Sequence, residues 1–143
     1  MAQVNKSALV PFSAEQMYKL VDDVPSYQDF LPWCGGSEEV SREEDVVVAS
    51  VTIAKGSVNK TFTTKNTSFD KQKIHMELVE GPFKELVGYW SFKELKENAC
   101  KVTLELDYEF SNRLLGMVVG PVFNQIANAM VDSFVDRAKE VYS

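Results

Sequence analysis

The sequence predicts an α+β fold: a curved antiparallel sheet of about seven strands wrapped around a long C-terminal helix, with two short helices after the first strand. Two patterns and one packing argument predict it. From Cys100 to Phe110 apolar and polar residues alternate without a break, Cys100, Val102, Leu104, Leu106, Tyr108 and Phe110 against Lys101, Thr103, Glu105, Asp107 and Glu109. That is a strand with one buried and one wet face. Along 112–142, Phe123, Ile126, Ala127, Met130, Phe134, Ala138 and Val141 recur at spacings of three and four, the stripe of an amphipathic helix. A one-faced sheet and a one-striped helix bury both surfaces when the sheet curls around the helix.

The elements follow in order. Val4 to Pro11 is the first strand. Ser13 caps a helix with Gln16 three residues on, a capping-box spacing, and Met17, Leu20 and Val21 share one side of it. Pro25 opens a second short helix, SYQDFLPW, at its first turn. Pro32 and Gly35-Gly36 end that helix. Strands are expected at 37–43, 46–55, 58–68, 72–80, 83–95 and 100–110, arranged as a meander. Glu44-Asp45, Gly56-Ser57, Asp70, Gly81-Pro82 and Glu97-Asn98 supply the turns. A straight helix over 112–142 would run about 45 Å. Gly120-Pro121 is expected to kink or interrupt it, because proline lacks the backbone donor and crowds the preceding turn.

The chain has 143 residues, 45% hydrophobic and 25% charged. It is expected to form one domain over 1–143 with a real core, and this composition excludes a disordered, collagen-like or coiled-coil chain. The longest apolar run, Leu114 to Phe123, is short of the ~20 residues that cross a bilayer. The N-terminus, MAQVNKSALVPF, lacks the basic-then-apolar pattern of a signal peptide. A cytoplasmic setting is the default expectation, two cysteines are too few for a disulfide scaffold, and a cytosolic chain usually keeps them reduced, so Cys34 and Cys100 are expected as free thiols.

Catalytic chemistry finds little support. The single histidine, His75, shares the polar side of its strand with Glu77. As a general base it would need a carboxylate in a sheltered site, whereas this parity points it to solvent. Cys34 lacks a histidine on its side of the sheet to activate it. Cys100 lies on an apolar face. Two Cys and one His make no zinc set, and no glycine-rich phosphate loop is present. No catalytic and no metal-binding residue is assigned, and no cofactor is required.

The apolar residues point elsewhere. Trp33, Phe62, Met76, Leu78, Leu86, Trp90, Phe92, Leu104, Tyr108, Phe123, Ile126 and Met130 can all face the gap between sheet and helix. Large aromatics with methionines among them suit a pocket for an apolar small molecule. A closed core satisfies the same pattern. Tyr108 or Tyr89 can offer a hydrogen bond to a polar headgroup.

Charge is uneven. The chain carries net −6, yet Lys55, Lys60, Lys65, Lys71 and Lys73 face only Asp70 between residues 46 and 75. With Asn59, Thr61, Thr63, Thr64 and Asn66 interleaved, this block can contact a phosphate backbone rather than read bases. A merely solvated face is the alternative.

The strings SALVPFSAEQMYKLVDDVPSYQDFLPWC, KTFTTKN, EGPFKELVGYWSF, LDYEFSN and GPVFNQIANAMVDSFVDRAKEVYS resemble the RatA-type ribosome association toxins. These are close relatives of coenzyme-Q-binding proteins within the START-like polyketide cyclase/lipid-transfer superfamily. The resemblance covers nearly the whole chain and implies the helix-grip fold. It implies binding to the large ribosomal subunit, which blocks subunit association and so translation. It also implies a hydrophobic cavity for ubiquinone or another polyprenyl quinone, with Phe62, Trp90, Phe92, Tyr108 and Phe123 at its aromatic positions. A coenzyme-Q carrier supporting respiration without a ribosomal role is the alternative, and an oligoketide cyclase lacks residues to carry it. Trp33 departs from the pattern expected before Cys34 and can narrow the cavity mouth. The implied partners are the ribosome and a quinone or lipid, without DNA, with at most peripheral membrane contact, in a monomer.

Overall fold

Alternation along seven segments builds the sheet. The computed structural model describes residues 2–142. The strands are β1 (Ala2–Val10), β2 (Cys34–Glu43), β3 (Val46–Lys55), β4 (Val58–Phe69), β5 (Lys73–Glu80), β6 (Phe83–Lys96) and β7 (Ala99–Phe110). They pair antiparallel in the order β1-β7-β6-β5-β4-β3-β2. Strands β2 to β7 form the expected meander, and β1 returns to lie beside β7. On β7 the even residues Cys100, Val102, Leu104, Leu106 and Tyr108 are buried, so its wet side faces out.

Helix α1 (Ala14–Asp22) begins at the expected cap. Ser13 Oγ accepts from the Gln16 amide at 3.1 Å and Gln16 Oε1 accepts from the Ser13 amide at 2.9 Å, closing the capping box. A short 3₁₀ helix follows at Val24–Asp29 with Pro25 in its first turn. It stops before the expected Trp33.

Gly35 and Gly36 do not act as a break between helix and sheet. The edge strand β2 already starts at Cys34, with an irregularity between Cys34 and Gly36. A Cβ on Gly35 would lie 2.7 Å from the Ala54 Cβ. Glycine here lets β3 approach the edge strand, which is a sheet role and not a helix stop.

Helix α2 (Arg113–Tyr142) is capped by Asn112, whose Oδ1 accepts from the Leu115 amide at 2.9 Å. It runs without interruption through Pro121. The expected break is overridden by packing: Val119, Phe123, Ala127, Val131, Phe134 and Ala138 are buried along one stripe, and Val119 and Phe123 anchor the helix on either side of the proline. At the far end Tyr142 donates to the Gln16 carbonyl at 2.9 Å, tying α2 to α1. By length and composition α2 could cross a bilayer, yet here it is the helix the sheet grips. Pro121 is exposed and removes one helical hydrogen bond. Pro121→Ala is therefore expected to stabilise the fold by about 1–3 kcal/mol, read as a higher urea midpoint at unchanged slope.

The core has two parts. One gathers Met17, Tyr27, Trp90, Phe92 and Phe134; the other gathers Phe83, Leu86, Tyr108, Val119 and Phe123. Met76 packs against both, and the seam between them is where the two sets of rings do not meet.

Candidate functional site

That seam holds a cavity of about 80 Å³ under α2. Sheet strands β3 to β7 form its floor, Phe123, Ile126, Ala127 and Met130 of α2 its roof, and the segment Leu31–Cys34 one side. Of the residues expected to line a pocket, Trp33, Phe62, Met76, Leu86, Trp90, Leu104, Phe123, Ile126 and Met130 border it. Leu78, Phe92 and Tyr108 do not. Leu78 packs with the Phe83 cluster. Phe92 is stacked behind Trp90, ring centres 6.3 Å apart at 6°. Tyr108 lies against Phe123 at 4.7 Å, and its hydroxyl donates to Asn124 Oδ1 at 3.0 Å. Tyr89 lies beneath Lys73 Nζ at 4.1 Å, on the outer face. Neither tyrosine is placed to serve a headgroup in the cavity.

The wall also includes Tyr27, Ala49, Thr64, Asn66 and Leu106, which sequence reasoning missed. The signal was present for two of them. Thr64 and Asn66 share the even parity of Phe62 on β4, which turns them inward, so they are not the phosphate-facing companions of the lysines. Thr61 and Thr63 instead pair with Thr52 and Ser50, both at 2.7 Å.

The mouth is fastened. Trp33 is 36% exposed and its backbone sits at φ 55°, a region that is costly for a residue with a Cβ. Lys55 Nζ lies 4.1 Å above the Trp33 ring and also donates to Gln125 Oε1 of α2 at 2.9 Å. One lysine thus bridges the sheet rim, the mouth tryptophan and the roof helix. Beside it, burial raises the Cys34 thiol above its usual pKa, which disfavours the thiolate a nucleophile needs. His75 is on the outer face, its Nδ1 3.4 Å from Glu77 Oε1. The cavity wall contains no His, Asp, Glu, Lys or Arg. Its titratable groups are Tyr27 and Cys34, both held above their usual pKa by burial, and the rest of the wall suits an apolar molecule.

A volume of 80 Å³ is several times what one water needs and roughly half that of an engineered apolar cavity that takes up benzene. A ring enters only if the wall yields. Met76, Ile126 and Met130 are half-buried, and methionine repacks at low cost.

The five expected lysines do not form one patch. Lys55 and Lys60 stand at the rim near the mouth. Lys65, midway along β4, is paired directly opposite Glu77. Lys71 lies in the β4–β5 turn, on the order of 35 Å from Lys60 at the strand rise. Lys73 starts β5. A tighter group forms on the outer face across three adjacent strands. Lys93 and Lys101 are directly opposite each other on β6 and β7, and Lys73 pairs with Ser91, two residues from Lys93. Like charges directly opposite are unfavourable in a sheet, and among the described residues neither Lys93 nor Lys101 has an ion-pair partner. Lys71 projects beside them from a tight turn in which Asp70 and Lys71 have φ 52° and 56° and the Gln72 amide donates to the Phe69 carbonyl at 2.9 Å. Glycine suits that position better. Lys71→Gly is expected to stabilise the chain by about 1 kcal/mol, read by urea unfolding.

Residues 10–135 match the model of the family described as polyketide cyclase / dehydrase and lipid transport. The chain belongs to this family. A ribosome association toxin, RatA, of Escherichia coli K12 is 48% identical over 143 residues, all of this chain and 90% of that protein. The mitochondrial coenzyme Q-binding protein COQ10 of Drosophila melanogaster is 28% identical over 138 residues, 94% of this chain and 57% of that protein. A START superfamily protein from Mycobacterium smegmatis superposes with TM-score 0.81 at 19% identity, covering 97% of this chain and 98% of that one. The fold is the START-like helix-grip.

Proposed function

We propose that this START-like protein binds the large ribosomal subunit in the cytoplasm and blocks its association with the small subunit, acting by occupancy and not as an enzyme. The observation that carries this reading is 48% identity along the whole chain to a protein named a ribosome association toxin. The outer face supports it. Lys73, Lys93 and Lys101 stand at one end of the sheet, while Glu105, Asp107 and Glu109 occupy the other end of β7. These lysines can meet rRNA phosphates with the β7 acids held away, despite the net charge of −6, although Glu15, Asp70 and Glu94 border the same hollow as Lys73 and Lys93. Adding the purified protein to isolated subunits is expected to shift a sucrose-gradient profile from joined ribosomes to free subunits. An unchanged profile at saturating protein overturns the proposal.

A second reading is favoured by the apolar cavity. The same chain holds an apolar ligand, of which ubiquinone or another polyprenyl quinone is the class suggested by its likeness to COQ10. The present volume requires the mouth at Trp33 and Lys55 to open for a prenylated ring. A cyclase role is disfavoured by a wall without a His, Asp, Glu, Lys or Arg side chain. The two binding roles use different faces and are compatible.

A further inference from the structure

We propose that Asn66 is the residue that reads polarity in the cavity, donating from its amide nitrogen to a carbonyl oxygen of an otherwise apolar ligand. The inference deepens the ligand reading above and rests on it.

The wall is nearly all carbon, and its few polar groups can be followed one by one. The Tyr27 hydroxyl donates to the Val21 carbonyl. The Cys34 thiol is directed to the Gly36 carbonyl at 3.4 Å. Thr52 Oγ1 is paired with Thr61 at 2.7 Å. The Thr64 hydroxyl, in a residue 8% exposed, donates to Asn66 Oδ1 at 2.9 Å. What remains are the indole N–H groups of Trp33 and Trp90 and the Asn66 amide nitrogen, none with an acceptor among the described residues; of the three, only the Asn66 amide is held by a partner inside the wall, through its oxygen on Thr64.

Asn66 lines the main cavity and also a small neighbouring one of about 10 Å³ beside Val21, Val24 and Ile74. Its orientation is set by chemistry. With the amide reversed, its nitrogen would face the Thr64 oxygen and the threonine proton would lose its acceptor. Oxygen toward Thr64 satisfies both groups and leaves two N–H donors for something that is not protein.

This arrangement selects a ligand class. The carbon wall requires an apolar body. The free donors require an acceptor. A carboxylate is excluded, since no cation on the wall offsets its desolvation. A ketone or quinone carbonyl meets all three conditions.

Two ligands of the same shape test this: acetophenone, and α-methylstyrene, in which a methylene replaces the carbonyl oxygen. Dissociation constants are measured by ligand-observed NMR on the full chain. Asn66→Leu is expected to weaken acetophenone about tenfold, the value of one hydrogen bond, and to leave α-methylstyrene within about twofold. Thr64→Val keeps Asn66 but releases its oxygen, and is expected to weaken acetophenone selectively by a smaller factor. It carries the same comparison if Asn66→Leu does not fold. A ratio of the two affinities that neither substitution changes overturns the role of Asn66 alone. Failure of both compounds to bind the wild-type chain overturns the ligand reading and this inference with it.

Discussion

Reversing Lys73, Lys93 and Lys101 together to glutamate is expected to abolish binding to the large ribosomal subunit. These side chains are adjacent on β5, β6 and β7, and the Lys93–Lys101 pair is in direct register. Among the described residues their one ring or ion-pair contact in the fold is Lys73 Nζ over the Tyr89 ring at 4.1 Å, a contribution of about 0.5–1 kcal/mol at an exposed site. Opposed lysines weaken a sheet, so neutral Gln variants relieve that repulsion, whereas glutamates at 93 and 101 keep a like-charge pair in register. Each lysine that contacts a phosphate contributes about one unit to the salt dependence of binding. Neutral Gln variants at the three positions should therefore flatten the slope of log affinity against log salt by about three. Reversal adds repulsion to that loss. Lys60→Glu with Lys65→Glu, the pair a linear reading of charge would choose, is expected to have little effect. Lys60 is at the opposite rim, and Lys65 already faces Glu77. Subunit binding measured at several salt concentrations distinguishes the two surfaces.

Gly88→Ala is expected to cost about 3 kcal/mol or more, the upper range for overpacking a core. A Cβ at this position would lie 2.3 Å from the Glu105 carbonyl oxygen and 2.9 Å from Leu106 Cα. Both are backbone of the adjacent β7, directly opposite in register, and backbone cannot rotate aside. β6 and β7 would have to separate where Leu86, Trp90, Leu104 and Leu106 form the cavity floor. Ligand binding should fall with stability. Gly56→Ala is the matched control. Its backbone is at φ 60° with open space around it, so it carries only the conformational penalty, about 1 kcal/mol. Urea unfolding of the two variants separates steric exclusion from backbone strain.

Much of the architecture was legible because it depends on local period and local chemistry. The unbroken alternation of 100–110 specifies β7 and its buried face. Ser13 and Gln16 mark the start of α1 by hydrogen bonds three residues apart. Legibility fails where distant packing decides. Pro121 has the chemistry of a helix break, yet Val119 and Phe123 hold α2 together across it. Gly35-Gly36 has the signature of a loop, and only the approach of Ala54 makes it part of a strand.

The site follows the same division. Parity on β4 and β7 places Phe62, Leu104 and their neighbours toward α2, but whether the gap is filled or hollow depends on how two aromatic clusters meet. Lysines close in sequence are separated by the length of β4. Lys73, Lys93 and Lys101 are far apart in sequence and adjacent only through pairing. Asn66 was hidden by its composition, a polar residue in a basic stretch, although its parity matched Phe62.

The most direct measurement is sedimentation of the purified chain with isolated ribosomal subunits through a sucrose cushion. The protein is expected to pellet with the large subunit and not with the small one, and to be released as salt rises. A chain that stays in the supernatant with both subunits, or pellets equally with each, would contradict the ribosomal reading.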